Sequence, residues 1–173
     1  MAWQNKLEIT RAALAGRPEM AIVFDEPKLG AGEAFLQRLV ERHPFLPDDY
    51  LLFLRQCDGL QIDMCVLYGS GATSFRSIAQ ASASWHDVID VNNYCPIGED
   101  SGGSCFALSR DGAVWRFDQD PPDAHAARKM AATFSEFVDS VLMGARFPDL
   151  FDGKWQNRND NEWSQHLKEQ GWM

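Results

Sequence analysis

Residues 96–142 carry three local signals in succession, and their order points to an α+β unit. Pro96-Ile97-Gly98-Glu99-Asp100-Ser101-Gly102-Gly103 reads as a turn cluster, because glycine accepts positive φ and Asp and Ser side chains bond to nearby backbone. Residues 105–108 and 113–117 read as short strands joined through Asp111-Gly112, a hairpin signal when apolar runs flank it. Phe134, Phe137, Val138, Val141 and Leu142 then fall at i, i+3, i+4, i+7 and i+8, one face of a helix. Thr133 and Glu136 have the spacing of a capping box at its start, and Gly144 marks its end.

The preceding chain reads as helices interrupted by short strands. Trp3, Leu7, Ala13 and Leu14 predict an N-terminal helix stopped near Gly16-Arg17-Pro18, and residues 20–24 predict a strand or extended segment. Phe35, Leu36, Leu39 and Val40 form a helical stripe that His43-Pro44 terminates. Pro47 opens a second helix, with Tyr50, Phe53, Leu54 and Cys57 on one face and Asp58-Gly59 closing it. These two helices are expected to pack side by side. Residues 62–68 read as one strand, and Phe75, Ile78, Ala79 and Ser82 predict a helix reaching Trp85. Val88, Ile89 and Val91 favour a strand within residues 86–93.

In order and spacing, P-I-G-E-D-x-G-G, C-F-A-L-S-R-D-G-A-V-W-R-F-D and T-F-S-E-F-V resemble the closing half of a SUKH domain, the superfamily that includes fungal cell-wall assembly regulators. Leu46-Pro47-Asp48-Asp49-Tyr50, followed by Phe53, Leu54 and Asp58-Gly59, is similar to the opening half. Members often place an acidic residue after the glycine that opens the hairpin; here Ser104 follows Gly103. The resemblance covers a motif-bearing core at 30–143; the length predicts a single domain over residues 1–173, with an N-terminal helical segment at 1–29 and a tryptophan-rich tail at 145–173 that carry no motif of the family. It also implies function by binding, since many bacterial members are similar to immunity proteins that neutralise a toxin, often a nuclease.

A chain of 173 residues with 45% hydrophobic content is long enough to bury a full core without staples. It has no apolar run of membrane-spanning length and no secretion-signal pattern at its start, so a cytoplasmic protein is expected. Cys57, Cys65, Cys95 and Cys105 lack the C-x2-4-C spacing of a zinc site and read as buried structural thiols. The net charge of −9 is concentrated: residues 86–123 hold eight acids against two bases. Such a field repels nucleic-acid backbones and attracts cationic partners, although any one of these carboxylates alone reads more simply as a solvated loop residue.

Candidate chemistry is sparse. His43, His86, His125 and His166 show no i, i+4 pair for a metal. His86-Asp87 with Ser101 or Ser104 could form a hydrolase set, but in a strand the two side chains would point apart. The glycine-rich turn lacks the lysine of a phosphate loop and the register of a calcium loop. No metal, cofactor or catalytic residue is therefore expected. Trp115 and Phe117 share a strand face and read as core, whereas Trp155, Trp163 and Trp172 either clamp the tail onto the domain or form a contact surface.

The expectation is thus an α+β fold, with a mixed, largely antiparallel sheet packed by helices from both ends of the chain. Its function would be non-enzymatic binding, as an immunity protein that neutralises a cognate toxin with a basic surface. A regulatory adaptor of the cell-wall regulator type is the alternative, with a small hydrolase behind both; monomer and homodimer stay open. Glu99, Asp100, Asp118, Asp120 and Asp123 are the candidate docking carboxylates, joined by Trp155 and Trp163. Reversing Glu99, Asp100, Asp118 and Asp120 to lysine is expected to slow association far more than it unfolds the domain.

Overall fold

The computed structural model describes residues 2–27, 29–118, 127–151 and 161–173. Helix α1 (Trp3–Leu14) leads through a 3-10 turn (Pro18–Ile22) to strand β1 (Phe24–Asp25), then helices α2 (Glu33–Arg42) and α3 (Asp48–Gln56). Strands β2 (Leu60–Ile62) and β3 (Cys65–Leu67) precede α4 (Ile78–Trp85). Strands β4 (Tyr94–Asp100), β5 (Cys105–Ser109), β6 (Val114–Phe117) and β7 (Ala127–Ala131) follow. The chain then forms a single turn α5 (Phe134–Glu136), a π-helix (Phe137–Leu142), a 3-10 turn (Phe147–Phe151) and α6 (Glu162–Glu169). The seven strands lie in chain order β1 to β7, and every neighbouring pair is antiparallel. This is an α+β fold.

Alternation along the central strands builds two apolar layers. On β5, Phe106 and Leu108 enter the main core, while Cys105 and Ala107 face a second cluster with Trp85, Ile89 and Phe117. Trp115 packs against that second cluster beside Phe117, as their shared parity predicts. The main core joins both ends of the chain, taking Trp3 and Leu7 from α1 and Trp163 and Leu167 from α6.

Two of the motif helices are tied together directly. Asp49, in the first turn of α3, accepts a hydrogen bond from the Ser135 backbone N–H at 2.8 Å, while the Tyr50 ring meets Phe134 at 4.9 Å. Gly59, at φ 110°, lets Phe75 approach so closely that an added Cβ would lie 2.5 Å from its ring.

Several expectations change. The segment 96–100 is strand, not turn, and only residues 101–103 reverse the chain. Gly98 serves close approach rather than turning: a Cβ there would lie 2.5 Å from the Val66 carbonyl oxygen on β3. A register shift between Pro96 and Gly98 accommodates the proline inside the sheet. Residues 62–68 split into the β2–β3 hairpin around Asp63, whose φ is 50°. Residues 20–24 are mostly 3-10 turn, and residues 86–93 form turns rather than a strand, with Ile89 buried for packing alone.

The cap at Thr133 is half of the expected box. Its hydroxyl accepts from the Glu136 N–H at 3.0 Å, but the Glu136 carboxylate reaches the Ala132 N–H and Arg146 instead of the cap residue's own backbone. Thr133→Ala should therefore lower the unfolding free energy by about 1 kcal/mol, measured by urea denaturation. An unchanged midpoint would mean that the first turn forms without its cap.

Candidate interaction surface

Strand alternation separates the two acids that are adjacent in sequence. Glu99 lines a hollow with Arg76, Trp85 and Val88, beside α4. Asp100 lines another with Arg116, Leu150 and Phe151. The two carboxylates therefore belong to opposite faces of β4 and not to one continuous patch.

Both are internally engaged. A Glu99 carboxylate oxygen accepts from the Tyr68 hydroxyl at 2.7 Å and from Arg76 Nη1 at 3.1 Å. Burial, then the bond to Glu99, pushes the Tyr68 phenol well above its ordinary range, so it remains a neutral donor. Asp100 Oδ2 lies 2.9 Å from Arg116 Nε, and both side chains are only 10% exposed. Its Oδ1 accepts from the Gly102 and Ser104 N–H groups at 2.8 and 3.1 Å, which shapes the hairpin turn.

Asp118 completes this set from the end of β6, with Oδ1 3.5 Å from Arg116 Nε and its side chain 47% exposed. The Ser104 hydroxyl accepts from Arg116 Nη2 at 3.2 Å and donates to Asp118 Oδ1 at 3.0 Å. An acid at the Ser104 position would bring a third carboxylate to one guanidinium; serine bridges the existing groups without added charge.

For Asp100, the expectation that charge reversal acts on association far more than on folding changes. Its carboxylate is a structural partner of Arg116, so a lysine there would set two buried cations together. Asp120, Asp123 and Trp155 lie outside the described residues, as do the acidic loop with its double proline and His125. Trp163 is fully enclosed, stacking on Phe24 at 5.8 Å and donating from Nε1 to the Leu142 carbonyl at 3.0 Å. Its ring therefore clamps the tail and offers no contact surface. Trp172 also packs against the core, partly buried.

The hydrolase set does not assemble. His86 and Asp87 meet at 3.0 Å, instead of pointing apart, because they sit in the turn after α4; both are largely exposed. The Ser104 hydroxyl serves Asp118 and Arg116, and the Ser101 hydroxyl contacts the Met64 sulfur at 3.5 Å. Neither bonds to a histidine.

None of the four cysteines is in a disulfide, and all four are buried. Burial pushes the Cys57 and Cys95 thiols up to about 12, and Cys105 well above its usual range, so these thiols stay protonated. Among the described residues no cluster of three or more His, Cys, Asp or Glu side chains could hold a metal ion, and no helix is long and apolar enough to cross a membrane.

Arg76 and Arg116 are the residues that sequence reasoning missed. The available signal was parity: had residues 96–100 been read as strand, Glu99 and Asp100 would have faced opposite ways, each needing its own counter-charge. No curated protein matches this chain. The sequence model of the SMI1 / KNR4 family (SUKH-1) matches residues 30–140, which takes in α2, α3, the whole β2–β7 sheet and most of the π-helix. With the two motif helices tied at Asp49 and Ser135 and the acidic hairpin held by Arg116, the chain belongs to the SMI1 / KNR4 (SUKH-1) family.

Proposed function

We propose that this protein works by binding, as a non-enzymatic cytoplasmic immunity protein that neutralises a cognate toxin with a basic surface. The observation that carries this reading is the residual negative charge of the hairpin region. The described part of residues 86–123 holds Asp87, Asp90, Glu99, Asp100, Asp111 and Asp118, against Arg110, Arg116 and the incoming Arg76. Carboxylates splinted by arginines and backbone N–H groups, on either face of β4, are held rigidly, which lowers the ordering cost of docking on whichever face binds. The excess charge would steer a cationic cleft, such as that of a nuclease, and raise its encounter rate at low salt.

The test is co-expression with the product of the neighbouring reading frame, followed by cell survival and association kinetics. The protein should protect, and binding should slow as salt rises, because the Debye length is about 8 Å at physiological ionic strength. Asp87→Lys combined with Asp118→Asn, both at exposed side chains, should slow association about tenfold at low salt with an unchanged unfolding midpoint. Undiminished association by this variant would remove Asp87 and Asp118 from the interface. Binding to a cellular partner without protection would favour the regulatory adaptor reading.

A further inference from the structure

A pocket of about 330 Å³ opens between α2 and α4. Phe35, Leu39, Ile78 and Ala79 give it an apolar lining, while Arg38, Arg42 and His43 supply its polar groups. Arg38 and Arg42 are exposed, and among the described residues neither guanidinium has a carboxylate or hydrogen-bond partner. His43 is 2% exposed, and its buried Nδ1 has no partner either.

The simplest competing account is helix electrostatics, since a cation in the last turn offsets the terminal carbonyls. That covers Arg42, which stands in the last turn of α2. It does not cover Arg38, one turn earlier. The remaining polar groups are committed: the Ser82 hydroxyl donates to the Ile78 carbonyl, and the Ser70 hydroxyl donates to Asp58 at 2.6 Å. Asp58, behind Ser70 and 2% exposed, would repel an anion from that end and leave the arginine end as the favourable one.

We propose that this pocket binds a small organic acid, with its apolar body against Phe35, Leu39, Ile78 and Ala79 and its carboxylate held by Arg38 and Arg42 beside His43. The size is that of a small-molecule site, with an apolar lining and few convergent polar groups. Burial, and then the nearby Arg42, lowers the His43 pKa, so the ring is neutral at physiological pH and adds no third cation beside the two guanidiniums. The guanidiniums supply the paired donors that fit a carboxylate.

The experiment is a titration of the full chain with hexanoate, followed through backbone amide NMR shifts, with hexanamide and acetate as matched probes. Hexanoate should give saturable shifts confined to α2, His43, Ser70 and the first turns of α4. Both other probes should bind at least about tenfold more weakly, one lacking the charge and the other the apolar body. Arg38→Gln and Arg42→Gln, singly and together, should each weaken hexanoate binding, the pair by about tenfold or more, with spectra otherwise superimposable on the parent. Equal binding of hexanamide, shifts that do not saturate by roughly 20 mM, or unchanged affinity in the double variant would each overturn the assignment.

Discussion

Trp163→Ala is expected to lower the unfolding free energy by about 3 to 5 kcal/mol, the range for emptying a large aromatic site in a packed core. The indole is completely buried, stacks on Phe24 of β1 and leans on His166 at 5.4 Å. It also answers a backbone problem. The π-helix bonds each N–H five residues back, as in Met143 N–H to the Val138 carbonyl at 2.9 Å, and its last turn leaves carbonyls facing the protein interior. Trp163 Nε1 satisfies Leu142, while the buried Lys6 ammonium donates to the Asp139 and Met143 carbonyls at 2.6 and 2.8 Å. Trp163→Phe keeps most of the apolar volume but leaves the Leu142 carbonyl unbonded, so a smaller loss of about 1 to 3 kcal/mol should follow. Urea denaturation at constant slope would rank the two variants. If both cost less than about 1 kcal/mol, the tail would be an accessory and not part of the cooperative unit.

Asp100→Lys should cost about 3 to 5 kcal/mol, because it breaks a buried pair with Arg116 and sets a second cation beside that guanidinium. The Gly102 and Ser104 N–H groups would lose their acceptor as well. Glu99→Lys should be milder, since that side chain is 34% exposed and solvent screens its pair with Arg76. A thermal melt separates these outcomes before any binding measurement. An Asp100→Lys protein with the parent midpoint would show that the Arg116 network contributes nothing to stability. If the predicted loss is seen, failure of an Asp100 variant to protect a cell would report unfolding, and the docking test belongs to Asp87 and Asp118.

Much of the framework was legible because it rests on local physics. The α3 stripe, the Leu36 and Leu39 part of the α2 stripe (Val40 is exposed), the Asp111-Gly112 reversal between β5 and β6 and the Thr133 cap each depend on residues a few positions apart. The errors share one cause. Pro96 and Gly98 signal a turn in isolation, but here they lie in a strand: glycine permits close approach to Val66, and a bulge absorbs the proline. Val88, Ile89 and Val91 have the composition of a strand yet form turns, since β propensity yields to packing on a half-buried surface.

The sequence by itself determined the α+β class, the two motif helices, the central hairpin and the charge imbalance, all of which follow from periodicity, turn chemistry and composition. Only the tertiary structure decided which charges are free. Arg76 lies 23 residues from Glu99, and Arg116 lies 16 from Asp100; sheet register and strand parity bring each pair within about 3 Å. Register is set by which side chains the core accepts, and that is a property of the assembled layers, not of any one segment. The same holds for Lys6 and Trp163, whose polar atoms find the π-helix carbonyls because both chain ends converge on one core.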